Sequence, residues 1–443
     1  MKPYPEYKQS GIEWIGGIPQ HWEITRLKFI STMVADYGLN IGSEAYVDEG
    51  VRFLRTTDID DSGRLSPEGV YLPESVVDQA YLLKEGDFLI SRSGTIGRAY
   101  VHGNSQIPHS FAGYLVRFRF HYRTAARFMF YLTKSNTFSG WLRSQTIEST
   151  IGNVNGQKYA NMAVCLPESA ELSRIVSFLD GATLKIDTLI DKKQRLIELL
   201  KEQRTAIINQ AVTKGINPSV KIKDSGFEWI GEIPEHWQVM KLKYCATMLN
   251  GYAFDSDGYL DDGIPIIRIG DVKPRIDLSG TKRVAHSLLD DLGNFRVFKG
   301  DILLALTGAT IGKSAVYDSD DVALLNQRVG IMRPSNGMQN RYLKHLIDSE
   351  IFRKHIDYEC FGGAQENIGK PEISNFAIGI PPESEQSKIS SYLDDESCRV
   401  ETSISQVEKH IQLLQEYRTA LISEVVTGKI DVRGQVGIEP HSS

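Results

Sequence analysis

One thirteen-residue segment occurs twice in this chain. Ser10-Gly11-Ile12-Glu13-Trp14-Ile15-Gly16-Gly17-Ile18-Pro19-Gln20-His21-Trp22 returns 215 residues later as Ser225-Gly226-Phe227-Glu228-Trp229-Ile230-Gly231-Glu232-Ile233-Pro234-Glu235-His236-Trp237. Four of the five tryptophans sit in these two copies, so chance is excluded and the chain is an internal duplication. Shorter matches carry the repeat onward. Phe53 to Ile59 resembles Ile266 to Val272, and Gly86 to Ile90 resembles Gly300 to Leu304. Gly94-Thr95-Ile96-Gly97-Arg98 resembles Ala309-Thr310-Ile311-Gly312-Lys313 with its leading Gly308. Pro167-Glu168-Ser169 returns as Pro382-Glu383-Ser384, and Arg204-Thr205-Ala206 as Arg418-Thr419-Ala420. The offset stays between 213 and 215, so insertions are few. Each unit therefore has one order: tryptophan motif, variable region, long final segment. A pseudo-two-fold body follows, suited to a target that is itself bipartite.

The final segments constrain the fold most directly. From about Leu172 to Val212 there is no proline and one glycine, Gly181. Seam positions recur at steps of four and three through Leu179, Thr183, Ile186, Ile190, Lys193, Ile197, Leu200, Arg204, Ile207 and Ala211. The second copy repeats the seam through Leu393, Val400, Ile404, Val407, Ile411, Leu414 and Leu421. Arg204 and Arg418 interrupt it at matching places. This is a heptad pattern. About 40 residues of helix span roughly 60 Å. Gly215 and Gly428 stand where helix C-termini take glycine. A lone heptad helix exposes its seam, whereas two in one chain can pair, and the connections favour an antiparallel coiled coil.

The variable regions read as mixed α/β. Strand-like runs lie at Asp87 to Arg92 and Asp301 to Leu306, with helical runs near Arg123 to Thr133 and Asn340 to Tyr358. The expected fold class is α+β: two mixed α/β domains in tandem repeat, joined by two long helices. The boundaries read as 1–169 and 216–383 for the domains, 170–215 and 384–428 for the helices, and 429–443 for a tail.

Composition excludes several classes. A hydrophobic fraction of 41% and a charged fraction of 24% are those of a globular protein. No apolar run is long enough to cross a membrane. Met1 to Lys8 has no apolar core of a signal peptide. The four cysteines, Cys165, Cys245, Cys360 and Cys398, are dispersed without a C-x-x-C pair, which argues against a zinc ribbon or a disulfide scaffold. These features point to the cytoplasm. The net charge of −6 does not advertise nucleic-acid binding, but affinity for DNA depends on local phosphate contacts rather than on the average.

Chemistry is sparse. Gly308 to Ser314 resembles a P-loop, but its spacing is one residue short and the following Ala315-Val316-Tyr317-Asp318 reads as strand and turn. The sister copy has Arg98-Ala99 in place of Lys313-Ser314. A glycine turn that lets backbone approach a DNA phosphate, with Arg98 and Lys313 supplying charge, fits better. No methyltransferase motif, clustered metal ligands or nucleophile elbow is present, so no catalytic and no metal-ligating residue is assigned. His21 and His236 read as packed structural histidines. In Arg117-Phe118-Arg119-Phe120-His121 the strand period places Arg117 and Arg119 on one face, expected to meet phosphate, and the aromatics on the core face. Asn326-Gln327-Arg328 offers side chains able to pair with adenine and guanine, and Gly362 to Asn367 forms a polar glycine loop. The candidate DNA-contact set is Arg55, Thr57, Arg92, Ser93, Thr95, Arg98, Arg117, Arg119, Arg268, Thr307, Thr310, Lys313, Gln327, Arg328, Gln365 and Asn367. Two rival readings stand beside DNA binding: a nucleotide-binding enzyme built on the P-loop-like turn, and a coiled-coil interaction scaffold that does not touch DNA.

The tryptophan motif followed by Arg26-Leu27-Lys28 or Lys241-Leu242-Lys243 resembles the start of a target recognition domain. The Gly-Asp-hydrophobic turn, the Thr-Ile-Gly turn, the Pro381 to Gln386 stretch and the long helix fit as well. Over residues 10–432 the chain is similar to the specificity subunit of type I restriction–modification systems. One departure is Ala170-Glu171-Leu172, where the second unit has Glu385-Gln386. The resemblance implies two target recognition domains, each reading one half of a split, asymmetric DNA site through the major groove, with antiparallel helices fixing the unread gap. It implies a subunit without catalysis and without its own cofactor. It would recruit two modification subunits that use S-adenosylmethionine and two restriction subunits that use ATP and Mg²⁺.

Overall fold

A computed structural model describes residues 2–146, 153–360 and 367–435. Two compact units emerge, one made of Met1–Gln194 with Glu408–Ser443 and the other of Arg195–Val407. Each long helix therefore contributes to both units. The first runs Ser169–Lys214 and the second Glu383–Val426. Both stop at a glycine with positive φ, 72° at Gly215 and 70° at Gly428, where a side chain would strain the backbone.

In the first unit a four-stranded antiparallel sheet has the order Ser31–Tyr37, Leu115–Phe120, Phe88–Ser91, Ala99–Val101. A second sheet places Val51–Leu54 between Val70–Leu72 and His109–Phe111, the last pairing parallel. The second unit repeats this plan. Its four-stranded sheet runs Ala246–Asn250, Val329–Pro334, Ile302–Ala305, Ser314–Val316. Its other sheet pairs Ile264–Ile267 antiparallel with Arg283–Val284 and parallel with Ala323–Leu325, which Arg296–Val297 flanks. Helix Arg123–Thr133 follows the sheets in the first unit. Asn340–Ile347 and Glu350–Glu359 follow in the second.

The seam is buried inside each unit. In the first, Leu179, Ile186, Leu421, Ile422 and Val425 join the main core, with Ile190 and Leu414 packed at its edge. In the second, Ile208, Ala211, Val212, Ile389 and Leu393 do the same, with Ile207 beside them. Ile197, Val400, Val407 and Ile411 are each under 10% exposed, and Leu200 and Ile404 are half-buried. In the first unit Asp187 faces Arg418, and Lys193 faces His410 at 3.4 Å. Partners descend the second helix as the first ascends, so the helices run antiparallel there. The arginines at matching seam positions are both ion-paired: Arg418 with Asp187 at 2.9 Å, and Arg204 with Glu401 at 3.3 Å.

Candidate nucleic-acid interface

The His-Trp pair that ends each tryptophan motif builds an anchor. In the first unit buried Trp22 donates its indole N–H to Glu171 Oε1 at 3.0 Å. His21 Nε2 lies 2.7 Å from Oε2 of the same carboxylate, and the Tyr4 hydroxyl donates to Oε1 at 2.6 Å. Burial, then the bond to Glu171, pushes the Tyr4 phenol well above its ordinary pKa. In the second unit Trp237 donates to Glu385 at 3.2 Å and His236 lies 2.7 Å from it. Glu171 and Glu385 sit in the first turn of the long helices, where a carboxylate complements the helix dipole. The motif thus ties each domain to the start of its helix, and the departure at Ala170–Leu172 leaves this carboxylate in register.

Most of the repeated arginines are also structural. Arg55 donates from Nε and Nη2 to Asp58 at 3.1 and 2.8 Å, and Arg268 lies 3.5 Å from Asp271 in the matching turn. Arg119 clamps Asp87 at 2.6 and 2.7 Å, and Arg333 clamps Asp301 at 2.7 and 2.6 Å. Arg98 meets Asp61 at 2.6 Å and the carbonyl of Ile59 at 2.9 Å.

Arg117 corrects the expectation of an outward, phosphate-facing side chain. It is 1% exposed, paired with Asp36 and 3.7 Å from Asp87, over the Phe111 ring. It donates to the carbonyls of Leu82 and Ala80. The reason is topological. Leu115–Phe120 is an inner strand of its sheet with both faces covered, so alternation does not separate solvent from core there. Arg119, on the same strand, is only partly exposed and its guanidinium is committed to Asp87.

The P-loop-like segment forms a short 3-10 turn at Gly308–Thr310 and then the strand Ser314–Val316. No helix N-terminus follows to hold a phosphate. Gly94 and Gly97, like Gly308 and Gly312, have φ between 64° and 82°, a conformation that favours glycine.

A model of the type I restriction modification DNA specificity domain matches residues 234–409. The chain is 27% identical over 312 residues to the specificity subunit of the type I restriction enzyme MjaVIII of Methanocaldococcus jannaschii, covering 69% of this chain and 70% of that one. Residues 234–409 thus match a type I DNA specificity domain, and the chain as a whole is similar to type I specificity subunits. A putative specificity subunit of the same organism, MjaX, is 22% identical with 95% of this chain and 96% of its own length covered. A chain from a structural study of complex assembly and conformational transition in the type I system superposes with a TM-score of 0.69 at 15% identity, covering 93% of this chain and 99% of that one. That likeness concerns the fold.

The remaining candidates fall into two groups. Thr57, Thr95, Lys313, Gln327, Arg328 and Asn367 are exposed; Ser93, Thr307 and Thr310 are half-buried on the same turns. Arg92 is half-buried with its guanidinium 5.0 Å from the Tyr37 ring. Thr307 and Asn367 form an isolated bridge. Gln365 lies outside the described residues. Among described residues, the side chains of Lys313, Gln327 and Arg328 make no hydrogen bond or ion pair, so they are free to meet a ligand. Sequence reasoning passed over the anchoring pair Glu171 and Glu385, and also Tyr114, which is 63% exposed. Aligning the copies at an offset of 214 sets Tyr114 against Arg328 and would have found it.

Proposed function

We infer that the chain is the DNA sequence-recognition subunit of a type I restriction–modification enzyme, with each globular domain reading one half of a bipartite, asymmetric site in double-stranded DNA. The observation that carries this reading is that one strand topology occurs twice while the exposed, unpaired side chains differ between the copies. Two frames with different tips suit two different half-sites. The antiparallel helix pair fixes the unread gap. The subunit is non-catalytic and holds no cofactor itself. S-adenosylmethionine belongs to two modification subunits, and ATP and Mg²⁺ to two restriction subunits. Binding one partner twice is supported by apolar side chains exposed at matching positions, Phe29 at 66% and Tyr244 at 58%. No described helix is long and apolar enough to cross a membrane, and the work proposed lies in the cytoplasm with the DNA.

The test is to express the chain with its modification partner and map methylated adenines across a genome. The expected result is a split motif with a constant gap. A contiguous motif, or none, would sink the reading. Deleting about four to seven residues, one to two helical turns, from one long helix should change the gap or abolish binding while leaving the half-site sequences alone. An unchanged gap with intact methylation would remove the helices from that role.

A further inference from the structure

One turn is built identically in both units and tipped differently. In the first unit His109–Phe111 leads through Ala112-Gly113-Tyr114 into Leu115–Phe120. In the second Ala323–Leu325 leads through Asn326-Gln327-Arg328 into Val329–Pro334. The Leu115 N–H donates to the Ala112 carbonyl at 2.9 Å, and the Val329 N–H to Asn326 at 2.9 Å. The Tyr114 carbonyl accepts from the Arg92 N–H at 2.9 Å, and that of Arg328 from the Leu306 N–H at 3.0 Å. On the other side Gly113 N–H donates to Leu39 and Gln327 N–H to Tyr252, at 2.8 and 2.9 Å. A glycine guards each turn. A Cβ on Gly38 would stand 2.1 Å from the Phe111 carbonyl oxygen, and one on Gly251 2.2 Å from that of Asn326. The backbone is thus fixed by three matched hydrogen bonds and a close approach that only glycine permits.

The side chains on this frame do not match. Tyr114 is 63% exposed at the mouth of a cleft of about 360 Å³ that Asn40 and Thr57 also line. Gln327 and Arg328 are exposed, with no side-chain partner among described residues. Internal structure demands neither an exposed tyrosine nor an unpaired arginine. By contrast, several side chains with an internal partner carry the same chemistry in both units, as in Arg55 and Arg268 or Asp87 and Asp301. An element with a shared backbone and unshared exposed tips is free to be set by a ligand that differs between the units.

We propose that this turn is a base-reading element of both domains, with Tyr114 reading one half-site and Gln327 with Arg328 reading the other. The proposal rests on the DNA-recognition reading above. Arg328 carries the fork that pairs with O6 and N7 of guanine, Gln327 the amide that pairs with adenine, and Tyr114 an apolar ring for a thymine methyl. The second half-site therefore contains a guanine read by Arg328. The repeated Thr-Ile-Gly turn has the same chemistry in both units and does not discriminate.

The experiment uses the full chain co-expressed with its modification subunit and reads adenine methylation genome-wide. Arg328→Ala should lose preference for one guanine in the second half-site by on the order of 10- to 100-fold, with the first half-site intact. Arg328→Lys keeps the charge but not the fork, and should relax the same position. Tyr114→Ala should relax a position in the first half-site only. The untouched half-site in each map reports that the variant is folded. A map unchanged by these substitutions, or methylation weakened uniformly with no relaxed position, overturns the proposal while the split motif keeps the DNA-recognition reading. A wild-type map with no split motif overturns both.

Discussion

The two units share a frame and differ in how they fill it. At the inner strand of the larger sheet, the first unit sets Arg117 across from Asp36, and the second sets Ile331 across from Leu249. One position holds an ion pair and the other an apolar pair, on the same topology. Around it, Asp87 faces two arginines, Arg117 and Arg119, whereas Asp301 faces one, Arg333. The anchoring carboxylate shows the same trend. Glu171 serves Trp22, His21 and Tyr4, whereas Glu385 serves Trp237 and His236. The first unit thus keeps a buried electrostatic network where the second relies on apolar packing. Buried ion pairs seldom stabilise more than a well-packed apolar pair, because desolvation offsets their attraction. The units should therefore have similar stability as they stand and respond very differently to perturbation.

Removing charge from Asp87 should give the largest effect. Asp87→Asn leaves Arg119 without its carboxylate and takes one of two carboxylates from buried Arg117, and should cost about 3–5 kcal/mol. Asp301→Asn should cost less, about 1–3 kcal/mol, because Arg333 is a third exposed and water can replace its partner. Urea midpoints for the two variants would measure the gap, and equal costs would erase the distinction. Arg117→Ile alone should be nearly as damaging, about 3 kcal/mol, because it leaves Asp87 and Asp36 short of a partner. Combined with Asp36→Leu it installs the second unit's pair, and most of that loss should return. A double variant no better than the single one would show that the frames are not interchangeable.

The anchors give a smaller contrast. Glu171→Ala leaves the buried Trp22 N–H and Tyr4 hydroxyl without an acceptor, at a cost of about 2–3 kcal/mol. Glu385→Ala should cost about 1 kcal/mol, since its side chain is 21% exposed against 9% for Glu171. Thermal melts of both variants should show the order.

Acid supplies the mildest test. His102 and His109 lie buried with ring centroids 4.9 Å apart in the first unit. The second unit has Tyr317 and Ala323 in their places. Burial, then the neighbouring His109, holds the His102 imidazole down at about 4 from an ordinary 6.5. The unfolded chain takes up that proton first, so the stability contributed is present above 6.5 and lost as pH falls toward 4. Hydrogen exchange should therefore speed up in residues 88–111 before residues 302–325 on acidification, and His102→Gln should reduce the difference, with the remainder carried by His109, which burial also holds low.

Much of the architecture was legible before any coordinates. The duplication, both long helices to within a few residues, and the strand-like runs at Phe88–Ser91 and Ile302–Ala305 follow from repetition and period alone. The site was less legible. Alternation predicts which residues share a face of a strand but not whether that face is covered, and Arg117 was misplaced for that reason.

The sequence by itself determined the two-fold plan, the heptad seam and the helix ends, because these depend on residues near one another along the chain. Only the tertiary structure decided that Trp22 and Trp237 hold the helix carboxylates, that Arg55, Arg98 and Arg119 are occupied by aspartates, and that Tyr114 and Arg328 stand on one frame. Those facts depend on which groups from distant segments meet. A charged side chain is available to a ligand only when no internal partner has already claimed it.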